Sequence, residues 1–177
     1  IEHNLYSSLK LLSITPNCKR FVGLGSQAEY GIHNEVITEH THTNPITLYG
    51  ITKLSFCLMA QKLSNIYGIE FTWLRLFSSY GPYDNSEWLI PSTILKFLNN
   101  EPIHLTPSMQ KVDYLYVDDI VKAIYLAGIT SKSQGIFNLA SGDSCTVRSI
   151  IEQIHNIINP SIYLNFGEYK YSQDQVM

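Results

Sequence analysis

The sequence predicts an α/β protein, a partial parallel sheet with helices followed by a smaller mixed α/β lobe. Two observations carry this. Apolar strand-like runs alternate with helix-period segments through the first half, the pattern of a parallel sheet. In the second half the segments shorten and mix, as a smaller lobe would. With 177 residues, 45% hydrophobic and 15% charged, the chain is long enough for a real core and lacks a disorder signature.

The elements follow in order. Leu5 to Ile14 places Leu5, Leu9 and Leu12 at helical spacing, and Thr15-Pro16-Asn17 stops the run. Arg20 to Leu24 reads as a short strand ending in Gly25-Ser26. A polar loop from Gln27 to Pro45 follows. Thr47 can cap a helix running to about Tyr67, with Gly68 suited to end it. Ile69 to Phe77 is dense in β-branched and aromatic residues and reads as a buried strand. Tyr80-Gly81-Pro82 begins a loop, and Leu89 to Leu98 is helical. Ile103 to Thr106 and Asp113 to Tyr116 read as short strands. Val117 to Gly128 is an amphipathic helix whose Asp118 and Asp119 suit its positive end. Ile136 to Ala140 is a strand, and Val147 to Ile158 a helix capped by Thr146 and stopped by Asn159-Pro160. The expected division is residues 1–81 and 82–177, with segments of the second part returning to the sheet.

Composition narrows function. A net charge of −3 and scattered Lys and Arg give no reason to expect a nucleic-acid partner. No apolar run approaches the ~20 residues of a membrane span. Cys18, Cys57 and Cys145 are far apart and odd in number, which suits reduced thiols in the cytoplasm. Glu39-His40-Thr41-His42 lies in a polar loop with no second ligand cluster, so no metal site is expected and Glu39 reads as solvated. His33, His104 and His155 are isolated, and Trp73 and Trp88 read as core and pocket-edge residues. Tyr163, Tyr169 and Tyr171 alternate with polar residues, which suggests strand pairing.

The strongest chemical signal is Tyr49-Gly50-Ile51-Thr52-Lys53. Spacing of four puts the phenol and the ammonium on one helical face. An ammonium beside a phenol favours the phenolate, so the pair is suited to moving a proton. Ahead of it, Phe21 to Gly31 runs from a strand into a turn that leaves Ser26 at the strand's carboxyl end. That is where ligands sit in open α/β sheets.

Ser26 followed by Tyr49-x-x-x-Lys53 resembles the extended short-chain dehydrogenases/reductases, the NAD-dependent epimerase/dehydratase group that acts on nucleotide-sugars. Asn44-Pro45 resembles the family's approach to its tyrosine. Residues 75–82 resemble its R-x-F-N-x-Y-G-P stretch, Leu89-Ile90-Pro91 its L-I-P helix start, residues 110–119 its Q-x-R-D-x-x-Y-V-x-D segment, and residues 137–142 its Y-N-x-G-S-G turn. The resemblance implies a Rossmann-like sheet carrying Tyr49 as general acid/base. Lys53 would hold the nicotinamide ribose, and Ser26 would orient the sugar oxygen. It implies NAD or NADP as cofactor, with Tyr80 and Pro82 bordering the nicotinamide. A nucleotide-diphosphate sugar would meet Ser26, Gln27, Ser78, Leu89 and Ile90.

The chain departs from the pattern at Ser78, where the family has Asn, and at Val112, where it has Arg. Gln27-Ala28 stands where the dehydratases carry Asp-Glu, which disfavours water elimination. Reduction or epimerisation remains, and residues 25–31 and 110–115 look more like the 4-keto-6-deoxyhexose reductases. No G-x-x-G-x-x-G turn lies ahead of Ser26. With Ile1 as first residue and an early stop at Met177, the expectation is a piece of a longer chain. Two other readings stand beside this one: a truncated non-catalytic relative that binds a sugar nucleotide or a partner, and a reductase of hydrophobic substrates. Helices like the one carrying Tyr49 often build a homodimer interface in this family. Leu54, Leu58 and Met59 suit either that or the core.

Overall fold

The computed structural model describes residues 5–171. In chain order, α1 (Ser7–Ile14) precedes β1 (Arg20–Ser26), a 3-10 turn (Gln27–Glu29), α2 (Leu48–Tyr67) and β2 (Glu70–Leu76). Then come β3 (Ser78–Tyr80), α3 (Leu89–Leu98), β4 (Ile103–Leu105), β5 (Lys111–Val112) and β6 (Tyr114–Tyr116). The chain continues through α4 (Val117–Ile129), β7 (Gly135–Leu139), β8 (Cys145–Thr146), α5 (Val147–Ile158) and β9 (Leu164–Phe166). It divides into two compact units, Ile1–Phe77 with Val117–Ala140, and Ser78–Tyr116 with Ser141–Met177.

The first unit is built on a parallel sheet of order β1-β2-β7. Register runs from Arg20 opposite Glu70 to Ser26 opposite Leu76, so Ser26 ends its strand level with the end of β2. Phe71 to Arg75 are buried without alternation, as expected of a central strand covered on both faces. α2 is capped as its sequence predicts. The Thr47 hydroxyl accepts from the Gly50 amide at 3.0 Å, and Gly68 ends the helix in the left-handed region at φ 68°. Phe56, Cys57 and Ala60 on its inner face meet Leu12, Ile69, Phe71 and Trp73 in one cluster. The aromatic rings interlock edge-on and stacked, with Phe56 to Trp73 at 5.3 Å between centroids and Phe21 to Phe71 at 6.1 Å. Arg20 pairs with Glu70 and also donates to the Gly128 carbonyl at 2.8 Å, a cation placed at the negative end of α4.

In the second unit α3 and α5 pack around Phe97, Ile103, Val147 and Ile151. The parallel pair β4–β9 and β5 add Leu105, Leu164, Phe166 and Val112 to that core, and the unit also holds the parallel pair β3–β6 and the antiparallel pair β5–β8. Thr146 caps α5, accepting from the Ser149 amide at 3.1 Å. The Asp113 carboxylate accepts from the Ser141 and Gly142 amides at 2.8 and 2.9 Å, holding the turn in which Gly142 takes φ 86°.

Several expectations need correction. The stretch expected to begin a loop at Tyr80 first forms β3. Asp113 lies outside the strand assigned to it, because its carboxylate ties down a turn. Tyr163 and Tyr169 flank β9 rather than sit in it, while the Tyr171 hydroxyl accepts from the Met109 amide at 2.8 Å. Trp73 is fully buried in the core, as expected, and Trp88 is the residue before α3. Among the described residues no helix is long and apolar enough to cross a membrane.

Candidate active site

Ser26 stands at the carboxyl end of β1 because the chain leaves the strand through a capping box. Its Oγ accepts from the Ala28 amide at 3.2 Å, and its own amide donates to Glu29 Oε1 at 3.0 Å. Gln27 follows, exposed to solvent. α2 comes against this turn closely. A Cβ built on Gly50 would sit 2.3 Å from the Ala28 carbonyl oxygen and 3.0 Å from Pro45 Cβ, so only glycine fits there. Its neighbour Tyr49 is thereby held on the first turn of α2, half exposed.

Lys53 lies one helical turn on. Its Nζ donates to the Leu24 carbonyl at 3.0 Å and stands 5.8 Å from the centroid of the Tyr49 ring. Burial pulls the Lys53 ammonium below its ordinary pKa, and the Glu29 charge opposes that shift. Ser26, Gln27, Tyr49 and Lys53 therefore share one unit, with Lys53 joined to the strand that ends in Ser26.

The remaining expected site residues belong to the second unit. Ser78 and Tyr80 lie on β3, and the Tyr80 ring meets Tyr116 at 5.3 Å and Tyr114 at 6.3 Å. Burial, with Asp84 and Cys145 nearby, raises the Tyr114 pKa. Pro82 is exposed ahead of Tyr83, which takes φ 67°. Leu89 and Ile90 form the first turn of α3, and Leu89 packs partly into the α3–α5 core.

Sequence reasoning missed the buried network under Ser26. Glu29 is fully buried and accepts from Trp73 Nε1 at 3.0 Å and Arg75 Nε at 2.8 Å. The Arg75 guanidinium lies 4.4 Å from the centroid of the Tyr30 ring, and the Tyr30 hydroxyl donates to Asn138 Oδ1 at 2.6 Å. The available signal was Ser26-x-x-Glu29, a capping-box spacing. Glu39 lies exposed in its loop, as expected, and makes one contact that the sequence did not announce. Its carboxylate accepts from the Asn138 amide at 2.8 Å, and that bond lowers its pKa from 4.5.

The model of the NAD dependent epimerase/dehydratase family matches residues 1–140. The chain belongs to that family. It is 26% identical, over 94% of its length and 54% of the relative's, to an uncharacterized UDP-glucose epimerase of Bacillus subtilis. It is 27% identical to the dTDP-4-dehydro-6-deoxyglucose reductase of Escherichia coli, over 78% of this chain and 45% of that one. Among solved structures, a UDP-N-acetylglucosamine 4-epimerase from Methanobrevibacter ruminantium, in complex with UDP-N-acetylmuramic acid, superposes at TM-score 0.89. It is 27% identical and covers 99% of this chain and 58% of that one. The chain spans about half the length of the curated relatives it matches. The shared α/β architecture is thus that of the family's nucleotide-sugar enzymes.

Proposed function

We propose that this chain carries the proton-transfer centre of a nucleotide-sugar oxidoreductase that reduces a 4-keto-6-deoxyhexose. One observation carries the reading. Tyr49 and Lys53 share a face of α2, and Lys53 is anchored to Leu24 at the end of the strand that finishes in Ser26. The Tyr49 hydroxyl would give its proton to the sugar keto oxygen as that oxygen gains charge. The Ser26 hydroxyl would donate to the same oxygen and hold it against Tyr49. The Lys53 ammonium favours the tyrosinate left behind.

The family is NAD dependent by its description, and the residues present fit the nicotinamide end of NAD or NADP. An ammonium has three donors, and one bond to Leu24 leaves Lys53 two for ribose hydroxyls. When bound, the cofactor supplies the hydride. The same reading assigns Tyr80 and Pro82 to that end, and Gln27, Ser78, Leu89 and Ile90 to the nucleotide-diphosphate sugar. It also includes a homodimer through α2, because Leu58 and Met59 are exposed rather than in the core, while Leu54 is half-buried.

The test incubates the intact purified protein with NADPH and a 4-keto-6-deoxyhexose nucleotide. Stoichiometric loss of NADPH with formation of the deoxyhexose supports reduction. Epimerisation is the second reading, favoured by the epimerases among the relatives. It would show as inversion of a sugar hydroxyl, seen by NMR, with no net cofactor turnover. Neither signal across a panel of sugar nucleotides would sink both readings.

A further inference from the structure

Glu29 is out of reach of solvent, and three donors converge on its carboxylate: the Ser26 amide, Trp73 Nε1 and Arg75 Nε. Gly25 is the residue it packs on. A Cβ there would lie 2.2 Å from Trp73 Nε1 and 2.3 Å from Glu29 Oε1. The two chain neighbours of Gly25 are the ones the chemistry needs. Leu24 gives its carbonyl to Lys53, and Ser26 gives its amide to Glu29.

We propose that Glu29 is a positioning residue, whose buried carboxylate locks the strand end Leu24–Ser26 and so sets Ser26 and Lys53 relative to Tyr49. The inference rests on the reading of Ser26, Tyr49 and Lys53 given above. A charged pair shut inside a small unit is a weak source of stability, because desolvation offsets the attraction. Its geometry is what an apolar pair of the same volume could not reproduce. A hydrocarbon side chain at position 29 would leave the Ser26 amide without this acceptor and free to turn. The carboxylate also places negative charge beneath Lys53, opposing the effect of burial on that ammonium. On its own helix Lys53 has Tyr49 one turn back and the Cys57 thiol one turn on, while Arg75 is held on Glu29. Burial pushes that thiol up to about 12, so it stays neutral.

The test uses the intact protein as its cells make it, with turnover of its sugar nucleotide as the assay. Glu29→Gln is the simplest change, but it leaves Arg75 buried and unpaired. The paired variant Glu29→Met/Arg75→Met removes both charges and the acceptor of the Ser26 amide, and thermal unfolding checks that it folds. The expected result is a kcat lowered about tenfold or more, with KM held within about twofold, because misplacement near the reacting atoms costs rate rather than binding. The alkaline limb of kcat should also move to lower pH, since Lys53 loses the charge that helps keep it protonated. A folded paired variant with the parent's kcat and pH profile overturns the proposal. If the paired variant does not fold, Trp73→Phe decides, because it takes one N–H from the same carboxylate. A fall in kcat at constant KM supports the proposal, and an unchanged kcat and pH profile overturns it. Tyr49→Phe is measured alongside. Turnover that survives it sinks the reading of the site, and the proposal with it. Turnover abolished by Tyr49→Phe but untouched in the paired variant sinks the proposal alone.

Discussion

Two helical glycines should respond to the same substitution with opposite signs. Gly50 lies in the first turn of α2, and Gly128 in the last turn of α4. Replacing glycine by alanine in a helix is worth up to about 1 kcal/mol of stability, from the smaller backbone entropy of the unfolded chain. At Gly128 nothing lies within 4 Å of the new methyl group, so most of that gain should appear, reduced a little by its place near the helix end. At Gly50 the methyl would sit 2.3 Å from the Ala28 carbonyl oxygen, and backbone cannot step aside as a flexible side chain does. Overpacking of this kind costs about 1–3 kcal/mol. The net effect of Gly50→Ala is then a loss of about 0–3 kcal/mol, against a gain of up to about 1 kcal/mol for Gly128→Ala. For a chain of the relatives' size each kcal/mol moves Tm by about 2–4 °C or less. Differential scanning calorimetry of the two variants of the intact protein reads the sign directly. Gly50→Ala should also lower kcat, because relief of the clash moves Tyr49 away from the turn carrying Ser26. If Gly50→Ala raises Tm as much as Gly128→Ala and leaves kcat unchanged, the close seating of α2 on that turn is wrong.

Other predictions come from particular contacts. Cys18 is exposed and Cys57 is buried with its thiol pushed up to about 12. A short treatment with a maleimide at mildly alkaline pH should therefore label Cys18 and spare Cys57, as mass spectrometry of the digested protein would show. Arg20→Met removes an ion pair to Glu70 and a cation from the end of α4, and should cost about 1 kcal/mol in a denaturant titration, less at high salt. Glu39 has its carboxyl pKa lowered in the fold by the Asn138 amide. A depressed carboxyl pKa contributes stability above the unfolded value and loses it as pH falls through the folded value. The loop holding Glu39 should thus become more open to proteolysis as pH falls below the ordinary carboxylate value of 4.5. Glu39→Gln should remove that step, and an unaltered proteolysis profile would refute the contact.

Local signals were enough to place most elements. Thr47 and Gly68 bracket α2, and Thr146 caps α5, because caps depend only on side chains within a few residues. The dense apolar run after Gly68 announced the central strand for the same reason. The two- and three-residue strands of the second unit were hard to see. β5, β8 and β9 are too short to show a period, and pairing with partners remote in sequence creates them.

The site divides along the same line. The sequence alone determined that Tyr49 and Lys53 share a helical face and that Ser26 follows a strand, since both depend on spacing along the chain. Tertiary structure decided the rest. Only folding could bury Glu29 among Trp73, Arg75 and the Ser26 amide, or bring the Glu39 carboxylate to Asn138. On the chain a glutamate reads as a solvated charge. It becomes an interior acceptor when donors from 44 and 46 residues away close around it, and no local pattern records that convergence.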